Sequence, residues 1–234
     1  LEADRQNREL ISNISHDLKT PITAVKGYVE GIMDGIADTP EKMDRYIKTI
    51  YNMSIEMDHL INELTFYTKI NTNRIPYTFS KVNVQNFFED AAEEIRYDLT
   101  SKNIAFDYQN TVGRDVQVIA DVEQMRRVIN NIIGNSVKYM DKPDKKISLR
   151  VRDAGEEIEA QISDNGKGIS SKDLGNIFNR FYRADSSRNS TQGGSGIGLS
   201  IVKKIMEDHG GRVWASSVEG EGTTMYFSLR KHVA

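Results

Sequence analysis

Cysteine is absent from the 234 residues, which removes disulfides and thiolate metal sites and fits a reducing compartment. No run of about 18 apolar residues occurs, so no stretch of the chain is suited to crossing a bilayer as a helix. A basic surplus is missing too: 31 Lys and Arg stand against 34 Asp and Glu, for a net charge of -3, and nothing points to nucleic acid. No charged-then-apolar signal peptide is expected at the opening of this sequence, and no internal repeat or low-complexity segment is read in it. What remains is an ordinary soluble composition, 38% hydrophobic, long enough for one large or two modest domains. Leu1 to Arg8 already reads as polar helix, like a cut inside a longer one. The expectation is a cytoplasmic portion of a larger protein, with any membrane attachment running only through an upstream segment.

The first 71 residues carry helical periodicity. Leu10, Ile11, Ile14, Leu18, Ile22, Val25, Val29, Ile32 and Ile36 fall in one stripe at about 100° per residue. His16 lies roughly 160° from the centre of that stripe, on the wet side. Gly31, Gly35 and Asp38-Thr39-Pro40 are expected to end this helix, with Thr39 capping the next and Pro40 at its first position. The second helix repeats Met43, Ile47, Ile50, Ser54, Met57, Ile61 and Leu64 in steps of four and three, a heptad seam broken at Ser54. A lone hairpin cannot bury both stripes, whereas two hairpins in a four-helix bundle can, so a homodimer is expected. Residues 72–76 read as linker.

Periodicity changes after the linker. Strands are expected near 77–84, 104–108, 116–119, 147–151, 158–162, 212–215 and 223–229. Helices are expected near 84–99, 121–138, 172–181 and 197–208, and within the polar stretch 184–194 residues 185–192 read as a lid. Asp121 and Gln124 have capping-box spacing. Elements mix without strict alternation, which predicts an α+β sandwich over residues 77–234.

Three constellations in this region carry chemistry. Asn131, Asn135 and Lys138 line a polar stripe of one helix. Asparagine oxygens ligate Mg²⁺ without adding negative charge beside a triphosphate, and a lysine meets phosphate as a point charge. A solvated helix face would show the same spacing. Asp164-Asn165-Gly166-Lys167-Gly168 follows a strand; the carboxylate can accept from an exocyclic amine such as adenine's, and Gly166 and Gly168 allow close approach. An ordinary turn would share this string. Gly194-Ser195-Gly196-Ile197-Gly198-Leu199 opens a helix and offers backbone N–H groups to phosphate. It matches neither the dinucleotide fingerprint nor the Walker pattern. Gly220-Glu221-Gly222-Thr223 reads as a hairpin turn. Together with an exposed His16 beside Asp17, these features suggest phosphoryl transfer from ATP to histidine.

In this order the strings resemble the sensor histidine kinases of bacterial two-component systems, from His16 to Thr223. Ser15-His16-Asp17-Leu18-Lys19-Thr20-Pro21 is similar to the phosphoacceptor box, with Asp17 where glutamate is commoner and Lys19 where arginine is commoner. Asn131 to Tyr139 resembles the asparagine box, Asp164 to Gly168 the first glycine box, Phe178 to Arg183 the phenylalanine box, and Gly194 to Leu199 the second glycine box. The resemblance implies a dimeric helical hairpin followed by a Bergerat-type ATP-binding sandwich. It implies Asn135 on Mg²⁺ with Asn131 nearby, Asp164 on the adenine amine and Tyr139 stacking near the base. Lys138 and Arg183 would touch phosphates, and Gly194, Gly196 and Gly198 would anchor the lid. It further implies a response-regulator receiver domain as partner, and a phosphatase role for Thr20.

On this expectation neutral His16 attacks the γ-phosphorus in line with the leaving ADP oxygen, and Asp17 accepts the proton of the far ring nitrogen. Pro21 cannot donate to the Asp17 carbonyl and is expected to kink the helix after His16. Two rivals share the nucleotide boxes. A gyrase-like ATPase would need an acid in the stripe that here holds Asn131 and Asn135, and would leave the His16 helix without a purpose. A non-enzymatic nucleotide-binding scaffold is opposed only by the completeness of the site. His59, His209 and His232 receive no role.

Overall fold

The computed structural model describes residues 2–71, 76–179, 182 and 196–232, the side chains of 2–11, 13, 14, 16, 59, 63, 66, 67 and 69–71 excepted. The chain forms two compact units, one built on Leu1–Ile75 and a larger one on Pro76–Gln192 with Gly198–Ala234.

The first unit is a helical hairpin of α1 (Glu2–Met33) and α2 (Pro40–Asn71). Helix α1 runs through Pro21, although proline donates nothing to the preceding turn. Just beyond it, Thr23 Oγ1 donates to the Lys19 carbonyl at 2.8 Å, a back-bond that typically bends a helix. Gly31 does not stop the helix as expected. It lies within α1, and the Tyr46 ring of α2 packs so close that a Cβ would stand 2.9 Å from its Cε2. Tyr28 meets the same ring edge-on at 4.9 Å. The stop comes at Met33, with Gly35 at a φ of 74° and the Gly31 carbonyl accepting from Ile36 and Ala37. Thr39 caps α2 as expected, its Oγ1 accepting from Lys42 N at 3.2 Å. The heptad seam splits in two: Met43, Ile50, Met57 and Leu64 are half-buried, whereas Ile47, Ser54 and Ile61 are exposed.

The second unit is an α+β sandwich, as the sequence predicts. Its main sheet has the order β2 (Ala105–Asn110), β4 (Lys146–Ala154), β5 (Glu157–Asp164), β7 (Gly222–Arg230), β6 (Arg212–Val218). Only the β2–β4 pair is parallel. A small antiparallel ladder joins β1 (Ser80–Asn83) to β3 (Gln117–Ala120). Alternation sends Ile147, Leu149, Val151, Ile158, Ala160, Ile162, Met225, Phe227 and Leu229 to one face, where all are buried. Helices α3 (Val84–Ser101), α4 (Val122–Lys138) and α6 (Gly198–Asp208) bury their own apolar stripes as well, through Phe88, Val128, Ile132, Ile201 and Ile205. The opposite sheet face is polar, with Trp214 stacked on Tyr226 at 5.3 Å.

Several boundaries differ from the sequence reading for local reasons. The first strand begins at Ser80, not Tyr77, and yields at Val84 because the Asn83 side chain caps α3 by accepting from Asn86 N. Of the expected helix near 172–181, the described residues 172–179 give one turn, α5 (Ser171–Leu174), closed by Gly175, and then a further turn through Asn176 and Asn179; residues 180 and 181 lie outside the described residues. Half of the expected capping box exists. Asp121 Oδ1 accepts from Gln124 N at 3.0 Å, but the return bond comes from elsewhere: the Asp121 N–H donates to His209 Nε2 at 3.0 Å. The Gln124 side-chain oxygen is left buried and without a partner.

Candidate functional site

Asp164, the last residue of β5, is the centre of the site in the sandwich. Its Oδ2 accepts from Ser136 Oγ at 2.8 Å, and its Oδ1 from Gly166 N at 2.9 Å and Thr223 N at 3.3 Å. These three donors fix the carboxylate's plane and leave acceptor capacity on an ionised oxygen pair. Two glycines make the surroundings possible. Gly168 has a φ of 72°, and a Cβ there would stand 2.1 Å from the Val218 carbonyl. Gly222 has a φ of 144°, and a Cβ there would stand 2.0 Å from the Asp164 carbonyl. The hairpin turn read at 220–223 is therefore a turn, and it also forms one wall of the Asp164 site.

Helix α4 forms the next wall. Asn131, Asn135 and Lys138 are half-buried, neither sealed in the core nor fully exposed. Asn131 Nδ2 donates to the carbonyl of Gly198, the first residue of α6, at 3.5 Å. Tyr139 caps α4, and its carbonyl accepts from Lys167 N at 3.1 Å, tying the asparagine stripe to the loop after Asp164. The Lys167 ammonium stands 4.7 Å from the Tyr139 ring centroid and that of Lys138 stands 5.4 Å from it. Gly196 has a φ of 67° ahead of α6. Tyr182 OH donates to Asp173 Oδ1 at 2.5 Å, which holds that carboxyl below the usual range. In the other unit, Asp17 is half-buried and Thr20 exposed on α1.

The His Kinase A (phospho-acceptor) domain matches residues 6–73. The histidine kinase-, DNA gyrase B-, and HSP90-like ATPase family matches residues 120–233. The sensor histidine kinase WalK of Bacillus subtilis is 31% identical over 227 residues, covering 97% of this chain and 37% of WalK. The chain belongs to the sensor histidine kinases. Two solved histidine kinases share its fold. AdeS of Acinetobacter baumannii superposes with a TM-score of 0.70 at 20% identity, covering 92% of this chain and 97% of that one. ThkA, solved in complex with the response regulator TrrA, gives 0.74 at 22% identity, covering 96% of this chain and 61% of that one. The chain spans 37% of the WalK relative's length.

Among the residues singled out in the sequence, Asn131, Asn135 and Lys138 lie on α4 with Tyr139 at its cap, Asp164 ends β5 with Gly166 and Gly168 just after it, and Gly198 and Leu199 open α6. Arg183, Gly194 and the side chain of His16 lie outside the described residues. Sequence reasoning gave no role to Ser136 or Thr223. A signal for Ser136 existed: it is the polar member of the otherwise apolar series Met125, Val128, Ile129, Ile132. Thr223 carries no local signal, because only the register of β7 against β5 brings it opposite Asp164.

Proposed function

We propose that this chain is the catalytic core of an ATP-dependent protein histidine kinase. It autophosphorylates His16 and passes the phosphoryl group to an aspartate of a response-regulator receiver domain. The observation that carries the reading is that one chain matches both the phospho-acceptor domain, at residues 6–73, and the histidine kinase-, DNA gyrase B- and HSP90-like ATPase, at residues 120–233. Residues 1–71 serve as dimerisation and phosphoacceptor domain, 72–76 as linker and 77–234 as the ATP-binding domain.

Asp164 accepts from the adenine amine, and the Tyr139 ring borders the base. Lys138 and Arg183 meet phosphates, and Gly166, Gly168, Gly194, Gly196, Gly198 and Leu199 line the backbone around the nucleotide. Asn135, with Asn131 beside it, would hold Mg²⁺, which when bound neutralises phosphate charge. Neutral amide oxygens fit that ion, since the triphosphate already brings its negative charge, and no cluster of acids or histidines suited to a metal occurs among the described residues. His16 attacks as the neutral imidazole; the bond to the γ-phosphorus forms as the bond to the ADP oxygen breaks, and Asp17 takes the proton of the other ring nitrogen. Thr20, one turn along, orients water for dephosphorylation of the regulator.

Exposed Ile47, Ile55 and Ile61 on α2, and Ile22, Val29 and Met33 on α1, support a homodimer in which a second hairpin covers them. No helix among the described residues is long and apolar enough to cross a membrane. In the longer protein this core is the cytoplasmic portion of a membrane-anchored sensor.

Incubation with γ-labelled ATP tests the reading. Acid-labile, base-stable label on the protein, lost in His16→Ala while ADP still binds, is the expected result. Free phosphate without labelled protein would make the chain an ATPase, and binding without either would make it a scaffold.

A further inference from the structure

Tyr77 to Phe79 stand outside the sheet because other partners hold them. Tyr77 OH donates to Asp208 Oδ2 at 2.7 Å, and Thr78 N donates to Asp121 Oδ2 at 2.7 Å. The rings of Tyr77 and Phe79 meet the His209 ring edge-on at 5.4 and 4.9 Å. Lys204 Nζ lies 2.5 Å from Asp208 Oδ1. His209 is thus faced by Tyr77 ahead of β1, by Asp121 at the start of α4, and by Asp208, itself paired with Lys204, at the end of α6.

The partners of His209 determine its proton. Nδ1 lies 2.7 Å from the Ile205 carbonyl, which only accepts, so Nδ1 carries the hydrogen. Nε2 lies 3.0 Å from the Asp121 amide, which only donates, so Nε2 offers its lone pair. The ring is the neutral Nδ1–H tautomer. Burial favours that form and holds His209 below the ordinary histidine range, against the opposing pull of the Ile205 carbonyl and of the Asp121 and Asp208 carboxylates.

Helices α4 and α6 are hydrogen-bonded at both ends of their contact. Asn131 to Gly198 is one tie, and Asp121 to His209 is the other. We propose that His209 is a positioning residue of the nucleotide site: its bond from the Asp121 amide locks α6 against α4 and so holds Gly198 and Asn131 where the ATP phosphates are taken. The inference rests on the ATP-site reading above and adds a proton-sensitive tie to it. Protonation of Nε2 sets two donors face to face and breaks the tie.

The test uses the full chain as wild type, His209→Gln and His209→Phe. The dissociation constant for Mg-ADP is measured calorimetrically from pH 7.5 to 5.5, and the His209 ring nitrogens are read by ¹⁵N chemical shift. The phenylalanine keeps the ring packing but leaves a buried N–H unpaired, and binding weakens about tenfold at pH 7.5. The glutamine supplies an oxygen acceptor and restores affinity to within about twofold. As pH falls, wild type loses affinity more steeply than His209→Gln; the nucleotide's own protonation is common to both. Parallel pH profiles with tight binding by His209→Phe, or an Nε2–H tautomer, overturn the proposal. If His209→Phe fails to fold, the tautomer and the difference between wild type and glutamine profiles still decide it. Failure of wild type to bind Mg-ADP at all removes the nucleotide-site reading itself, a different result from binding that ignores residue 209.

Discussion

In the sandwich, Leu149, Ile158, Ile162 and Phe227 are sealed from solvent, whereas the hairpin leaves Ile22, Ile47, Ile55 and Ile61 about half exposed. The difference follows from geometry. A sheet with helices on one face buries its apolar side within one chain. Two helices share only one line of contact, so each retains an apolar flank. The split seam of α2 makes this concrete: every seventh residue from Met43 is covered, and every seventh from Ile47 is not. The sandwich closes its core within one chain, whereas the hairpin leaves apolar flanks that the proposed second copy would cover.

The sharpest way to break the comparison is to charge the uncovered seam. Ile47→Lys with Ile61→Lys should convert dimer to monomer in sedimentation velocity, raising the dissociation constant by about a thousandfold or more, while Mg-ADP affinity stays as it was. A chain that remains dimeric would place the interface elsewhere. Next in size is Leu149→Ala, which removes a fully buried side chain. It should cost the sandwich about 2–5 kcal/mol in chemical denaturation without changing the association state. A fall in both units together would show that their stabilities are coupled.

Within the sandwich, Asp164→Asn exchanges an ionised acceptor for an amide whose N–H₂ half repels the donors around it. Nucleotide affinity should fall about 10- to 100-fold, as expected for a hydrogen bond to a charged group. Ser136→Ala removes one of the three donors that orient Asp164 and should cost about threefold to tenfold in the same titration. Equal losses would mean that Ser136 does more than orient.

Legibility followed sequence distance. The α4 stripe of Val128, Ile129 and Ile132, and the Asn131–Asn135–Lys138 stripe beside it, repeat within one helix and could be read directly. So could the strands β4 and β5, from alternation alone. Asp164 was legible as a carboxylate at a strand end with Gly166 two residues on, but its other donors come from 28 and 59 positions away. Gly31 was misread as a stop because the Tyr46 ring it accommodates belongs to the next helix. Tyr77 and Thr78 have strand-like character, yet Asp208 and Asp121 capture them before any ladder forms. His209 offered no local hint, since its role depends on an amide 88 residues away.

The smallest expected effect separates the sandwich's histidine from its carboxylates by pH. The folded-state pKa of His209 is lowered, chiefly by burial, from an ordinary 6.5. The unfolded chain therefore binds the extra proton, so stability increases with pH in this window. The contribution is complete above about pH 6.5 and is lost as pH falls through the folded value. Asp173, held low by the Tyr182 hydroxyl, and Asp153, held low by Lys231, contribute above their ordinary 3.8 and lose that contribution only in stronger acid. Denaturation midpoints of the full chain, followed through the sandwich's lone Trp214, should decline in two stages on acidification. His209→Gln should remove the first stage, worth about 1 kcal/mol for a single hydrogen bond, and leave the second untouched. The hairpin lacks a buried, proton-sensitive tie among its described side chains, so its own midpoint should not share that first stage; if it did, the two units would not be independent in the sense their burial implies.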